Sequence, residues 1–302
     1  MIPRKTYDVP IANGGVLRLG SRTLVMGVVN VTPDSFAGDG HVDPVSAIAE
    51  GLAMVDAGAD ILDVGGESTR PGAIPVEGET ERRRIQPVIE ALVRRANVPV
   101  SVDTYKAVVA RAALNSGASL VNDISGLRYD PDLAGEAAAR RAGLILSHMR
   151  GRSRDMYREA DYSAAPEEVI AELEWSLETA RASGVPRAHV IVDPGLGFAK
   201  CADHSLAVLG QLDRFRSLDR PILVGPSRKS FLAAVLGDVA PGAREWGTAG
   251  AVAASVLLGA HMVRVHGVRE MTDVVRVVDA IRVHRERFNA VVNDGPCTLP
   301  TS

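Results

Sequence analysis

Apolar residues along this chain gather into eight short runs, TLVMGVVN, ILDV, VPVSVD, LVND, LILSH, VIVD, PILVG and MVRV. Rich in Val, Ile and Leu and four to eight residues long, they read as strands buried on both faces. Most stop on or near a charged or hydrogen-bonding side chain: Asn30, Asp63, Asp103, Asn122 with Asp123, His148, Asp193, Lys229, and Arg264 with His266. Between the runs the period changes to that of a helix. Ile48, Leu52 and Val55 share one face of a helix starting at Pro44, and further helices are predicted over 80–95, 106–115, 133–141, within 166–182, around 204–212, from near Ser227, and within 246–258. Val274, Val277, Val278 and Ile281 mark the apolar face of the last one.

Strands that alternate with helices imply a parallel sheet, and eight such units favour closure into one (β/α)8 TIM barrel over an open doubly wound sheet. The barrel is predicted over 24–288. Ahead of it, residues 1–23 carry the turn formers Asn13, Gly14 and Gly15 and predict a hairpin covering the barrel floor. Behind it, 289–302 is rich in Asn, Asp, Pro, Thr and Ser and predicts a flexible tail.

Composition narrows the setting. The 302 residues are 46% apolar and 24% charged, ordinary for a soluble globular protein, and the 4% aromatic share means that Val, Leu, Ile and Ala must build the core. A net charge of −3 gives no general attraction to nucleic acid or to an anionic membrane, so neither is expected as a partner. Cys201 and Cys297 make no disulfide framework, the opening MIPRKTYDVP lacks a secretory apolar core, and no apolar run approaches the ~18 residues of a membrane span. A cytoplasmic enzyme is the expectation.

In a parallel barrel the carboxyl ends of all strands meet at one mouth, so the polar residues ending these runs would form one site. The last two loops, GPSRKS and RVHG, suit an anion: Ser227, Arg228 and Lys229 sit where a helix should start, and Arg264 and His266, alternate residues, point the same way. Lysine usage adds weight. Of 34 basic residues only Lys5, Lys106, Lys200 and Lys229 are lysine, and the last three each follow a strand end. Asp103, Asn122 and Asp193 offer acceptors suited to an aminopyrimidine edge, whereas Asp63 and Asp123 better suit capping or pairing with an internal Arg. The first two loops, NVTPDSFAGDG and GGESTRPGA, are polar and able to close over a substrate, with Asn30 and Asp34 placed for Mg²⁺. No zinc spacing, G-x-S-x-G elbow or P-loop occurs.

Taken together, NVTPDSF, DVGGESTRPGA, SVDTYK, NDISG, HMRG, DPGLGFAK, SRKSF and RVHG, in this order from Gly27 to Gly267, resemble the dihydropteroate synthase family, folate-pathway enzymes targeted by sulfonamides. The resemblance implies condensation of 6-hydroxymethyl-7,8-dihydropterin diphosphate with 4-aminobenzoate to 7,8-dihydropteroate and diphosphate. By motif it assigns Asp103, Asn122, Asp193 and Lys229 to the pterin, with Ile124, Met149 and Gly225 in the same substrate pocket. Thr69, Arg70, Arg264 and His266 would hold the diphosphate, Asn30 the Mg²⁺, and Phe198, Lys229, Ser230 and Pro71 would border the aminobenzoate. Asp34, Asp103 and Asp193 would stabilise the cation formed as the C–O bond breaks, and Arg70 the leaving group.

Pro226 and Gly267 depart from the family's commoner wording, a small or β-branched residue and an Asp. Pro226 and the segment FAGDG are the places where a sulfonamide-insensitive variant would differ. Rival readings are a methyltetrahydrofolate-corrinoid methyltransferase, which has no use for STRPG and SRKS, and a noncatalytic pterin-binding paralogue, which would have lost residues of the first or second loop. The family resemblance also implies a homodimer through late helices, including the alanine-rich one after Trp246.

Overall fold

The computed structural model describes residues 4–32 and 43–293, apart from the side chains of 159 and 286–293. Eight parallel strands form the barrel: β3 (Leu24–Asn30), β4 (Ile61–Gly65), β5 (Val100–Asp103), β6 (Leu120–Asp123), β7 (Gly143–Ser147), β8 (Val190–Asp193), β9 (Leu223–Val224) and β10 (Met262–Val265). They pair in the order β8-β7-β6-β5-β4-β3-β10-β9, and a parallel bridge between Val192 and Ile222 closes the ring. The seventh barrel strand, β9, is only two residues long. Pro221 and Pro226 bracket it, and neither has an N–H to lend to a ladder.

Alternation along each strand divides the apolar residues into two sets. Outward-facing Val25, Val29, Leu62, Val64, Val102, Val121, Leu144, Val192, Val224 and Val263 belong to the large core shared with the helices. Inward-facing Leu24, Met26, Ile61, Leu120, Ile145, Ile191, Leu223 and Met262 form a second cluster at the amino ends of the strands. Continuing inward at two-residue steps towards the carboxyl ends, the sequence changes character, to Asp63, Ser101 and Asp103, Asn122, Ser147, Asp193 and Arg264. The barrel interior is therefore apolar at its floor and ionised towards its mouth.

The predicted hairpin is present: β1 (Tyr7–Pro10) and β2 (Val16–Leu19) pair antiparallel around Asn13 and Gly14, both at positive φ. Its Val9, Ile11, Leu17 and Leu19 join the inner cluster and plug the floor. Arg4 fastens this segment to the rest, donating to the Gly20 and Ala260 carbonyls (2.9 and 2.5 Å) and pairing with Asp279 at 3.2 Å.

Helices α1 (Pro44–Asp56), α2 (Gly78–Arg95), α3 (Ala107–Asn115), α4 (Leu133–Ala139), α5 (Ala165–Ala182), α6 (Ala202–Gly210), α7 (Ser230–Leu236), α8 (Glu245–Leu257) and α9 (Val268–Asn293) surround the sheet. Helix α1 starts where Asp43 caps it, its carboxylate accepting from the N–H groups of Val45 and Ser46 at 3.2 Å with Pro44 in the first turn. Most helix boundaries fall within two residues of the sequence reading, and two differ by more. Helix α7 begins at Ser230, not near Ser227, because Arg228 sits at φ 58° and breaks helical continuity. Helix α9 runs to Asn293, so the tail assigned to 289–302 starts inside it; the stretch NAVVN contains no helix breaker. Among the described residues no helix is long and apolar enough to cross a membrane.

The floor plug supplies a stability test. Leu19 is 2% exposed, and Leu19→Ala is expected to lower the unfolding free energy by about 2–5 kcal/mol with an unchanged urea m-value. A loss below ~1 kcal/mol in urea titration would show that the hairpin does not share the barrel core.

Candidate active site

Charges facing the barrel interior must be paired, and one guanidinium does most of this. Arg264 donates through Nε to Asp63 Oδ2 and through Nη2 to Asp103 Oδ2, both at 2.6 Å. Asp63, fully buried, also accepts from Asn122 Nδ2 at 2.9 Å. Asp193 accepts from the Gly195 N–H at 2.8 Å and from Ser147 Oγ at 3.2 Å. Burial pushes the carboxyl groups of Asp103 and Asp193 up, and nearby Arg264 and Lys229 respectively pull against it. Lys229 lies with Nζ 3.5 Å from the centre of the Phe198 ring, and burial together with the Arg264 charge pushes it down to about 8. Asp63 Oδ1 and Asn122 Oδ1 are buried acceptors with no hydrogen-bond partner.

Arg264, which the resemblance assigns to the diphosphate, lines the cavity and is at the same time engaged inside the barrel as counter-ion to two aspartates, because a buried carboxylate left unpaired would be strongly unfavourable. Asp63 thus takes the internal-Arg role anticipated for it. Asp123 takes the other, its carboxylate accepting from the N–H groups of Ser125 and Leu127 (2.8 and 2.6 Å) and shaping the turn after β6.

The three lysines after strand ends prove unequal. Lys106 is held by Glu67 and Glu81, two buried carboxylates. Glu67 also accepts from Tyr105 OH and the Val76 N–H, both at 2.8 Å, so this cluster fixes the second loop that presents Thr69, Arg70 and Pro71. Lys200 is 1% exposed and donates to the carbonyls of Gly195 (3.1 Å) and Phe198 (3.0 Å) and to His148 Nδ1 (2.8 Å). Burial and this lysine push His148 down to about 3, which leaves a neutral ring whose Nε2–H faces Glu172 at 3.2 Å. Lys200 therefore mounts the turn carrying Phe198. Only Lys229 of the three faces the cavity.

At the mouth one cavity is lined by Asn30, Thr69, Arg70, Pro71, Asp103, Phe198, Gly225, Lys229, Ser230, Arg264 and His266. His266 Nδ1 meets Ser227 Oγ at 2.9 Å. Asn122 and Asp193 are buried beside this cavity and do not line it. Ile124 and Met149 are further from it in role, forming with Tyr105, Met156 and Ala199 an apolar cluster against which Phe198 packs. Asp34 lies outside the described residues.

The profile of the pterin-binding enzyme family matches residues 26–266. A dihydropteroate synthase of Synechocystis is 42% identical over 87% of this chain and 91% of its own length. The chain belongs to the pterin-binding enzymes, among the dihydropteroate synthases. Two solved members of the family superpose closely. The Yersinia pestis dihydropteroate synthase with a sulfonamide drug has a TM-score of 0.86 and 37% identity, covering 90% of this chain and 98% of that one. The Burkholderia cenocepacia enzyme complexed with 7,8-dihydropteroate has 0.83 and 37%, covering 93% and 98%.

Within this dihydropteroate synthase framework the departure at Gly267 meets α8: a Cβ there would lie 2.1 Å from Glu245 Oε1, the end of a flexible side chain, so an Asp at this position would require that carboxylate to move. Glu245 Oε2 in turn pairs with Arg228 Nε at 3.2 Å. Sequence reading missed Glu67, Tyr157 and Arg244 among the cavity residues. Glu67 was within reach, as the single acid in the loop GGESTRPGA; the other two lie in segments without period.

Removing the central guanidinium has a specific consequence. Arg264→Met is expected to cost about 3–5 kcal/mol in urea unfolding, and adding Asp63→Asn should recover part of it, because the loss comes from an uncompensated buried charge. Equal stability of the single and double variants would contradict that origin.

Proposed function

We propose that this protein joins 6-hydroxymethyl-7,8-dihydropterin diphosphate to 4-aminobenzoate, forming 7,8-dihydropteroate and diphosphate. The supporting observation is that the interior carboxylate of Asp103, paired with Arg264, and a rim of Thr69, Arg70, Ser227 and His266 line one cavity bounded by Lys229 and Phe198. A flat heterocycle with an N–H-rich edge suits the interior, where Asp103 lines the cavity and Asp193 and the unpartnered Asn122 Oδ1 are buried acceptors beside it. An anion suits the rim.

The reaction breaks the C–O bond at the exocyclic methylene, and the arylamine nitrogen then supplies the electron pair for the new C–N bond and releases a proton. No protein nucleophile takes part. As the bond lengthens, positive charge spreads over the pterin towards Asp103 and Asp193, while negative charge gathers on the diphosphate beside Arg70 and His266. Lys229, above Phe198, borders both substrates. Mg²⁺ belongs to the same reading: among the described residues no group of three or more His, Cys, Asp or Glu could hold a metal, so Asn30 would supply a hard oxygen and the diphosphate and water the rest. When bound it would neutralise charge on the leaving group. We also propose that the exposed Trp246 (89%), Val235 and Leu236, where α7 meets α8, seat a second copy of the chain; Trp246→Glu should then shift the mass in light scattering from dimer to monomer.

The defining experiment is diphosphate release from the pterin diphosphate with Mg²⁺, with and without 4-aminobenzoate, together with detection of dihydropteroate. Tight pterin binding without product would replace this reading with a noncatalytic one. Arg70→Ala should lower kcat about a hundredfold, the loss of ~3 kcal/mol of leaving-group stabilisation, while leaving pterin affinity nearly intact by titration calorimetry. Lys229 acts as an ammonium, so its cationic form dominates below its value of about 8 and is lost above it. Accordingly kcat/KM for the pterin diphosphate should fall as pH rises through about 8, and Lys229→Ala should weaken pterin binding and abolish that limb. A profile that is flat to high pH in the unsubstituted protein would remove the ammonium from the mechanism.

A further inference from the structure

We propose that Tyr157 determines which arylamines this site accepts, an inference that rests on the synthase reading above. The connection from β7 to α5 is long, and connections of this length without strand or α-helix are commonly functional. Here it is built as a strap across the mouth. Its Ser153 carbonyl accepts from the Gly72 N–H at 2.8 Å, next to Pro71 of the second loop. The Gly151 carbonyl accepts from Tyr129 OH, and the Arg152 guanidinium lies 4.2 Å over the Tyr129 ring. Met156 is 1% exposed and anchors the next turn in the apolar cluster with Ile124, Met149 and Ala199, against which Phe198 also packs.

Tyr157 follows that anchor and leaves the cluster. It is 43% exposed, lines the cavity, and places its hydroxyl 3.1 Å from Ser230 Oγ at the start of α7. The phenol therefore reaches from the strap to the seventh loop, in the cavity that Pro71, Phe198 and Lys229 also line. With few rotatable bonds and both ends engaged, it sets a fixed edge rather than a yielding one.

That edge bears on ligand shape. 4-Aminobenzoate ends in a compact carboxylate. A sulfonamide substituted on its amide nitrogen carries a second ring beyond that point, and this ring must pass the Tyr157–Ser230 contact. Discrimination of this kind is a steric exclusion of the competitor rather than an added attraction for the substrate.

The test compares competitive inhibition by 4-aminobenzenesulfonamide and by a sulfonamide bearing an N-heteroaryl ring, in the unsubstituted enzyme, Tyr157→Phe and Tyr157→Ala. The ratio of the two inhibition constants, bulky over small, should fall about tenfold in Tyr157→Ala and about two- to threefold in Tyr157→Phe, which keeps the ring and loses the tether to Ser230. The KM for 4-aminobenzoate should change more than kcat. A ratio that stays the same or rises in Tyr157→Ala overturns the proposal even if activity changes, since a merely structural role would shift both inhibitors together. Failure of the unsubstituted protein to form dihydropteroate overturns the synthase reading and this one with it; an active enzyme with an unmoved ratio overturns only the role of Tyr157.

Discussion

A closed barrel whose inward residues turn from apolar to ionised part-way up has to balance charge inside itself, and Arg264 is where the balance is struck. Three aspartates, Asp63, Asp103 and Asp193, face the interior with Arg264 and Lys229. Low dielectric makes every such pairing strong and every omission strongly destabilising. The guanidinium's planar fork meets two carboxylates borne by different strands, β4 and β5, from a third, β10. Strand register, and hence barrel closure, is thereby coupled to the electrostatics of the site. With carboxylates outnumbering cations when all are ionised, the interior favours a ligand that brings N–H donors or develops positive charge during reaction.

The loops at the mouth obey a second version of the same rule. Each of two loops is mounted on a lysine that serves as its counter-charge or donor hub, the half-buried Lys106 behind the loop of Arg70 and the buried Lys200 behind the turn of Phe198. Ion networks of this sort add little net stability, because desolvation opposes the attraction, but they define one loop position sharply. Preorganisation of the rim thus originates outside the cavity. Arg70 and Phe198 contact the open space, and the residues that decide where they point do not.

Much of this was legible in the sequence, for reasons tied to particular residues. Val- and Ile-rich runs ending on or just before Asp103, Asn122, Asp193 and Lys229 announced both the strands and their common mouth, since the period of two and the parallel topology leave few other arrangements. Asn13 and Gly14 announced the hairpin. What periodicity cannot carry is the choice of partner. It placed Arg264 at the mouth but not on Asp63 and Asp103, and it singled out Lys106 and Lys200 without revealing that they turn away from the cavity. Tyr157 stands in an irregular strap, and the contact between Gly267 and Glu245 joins segments with no shared pattern, so neither left a signal to read.

The hairpin beneath the barrel gives the molecule a topology of its own: a blind tube. With Val9, Ile11, Leu17 and Leu19 sealing the far end, the described residues leave the interior open at the mouth alone. Solvent displaced by an arriving molecule must escape past that molecule, and anything seated at the threshold bars passage to the depths behind it.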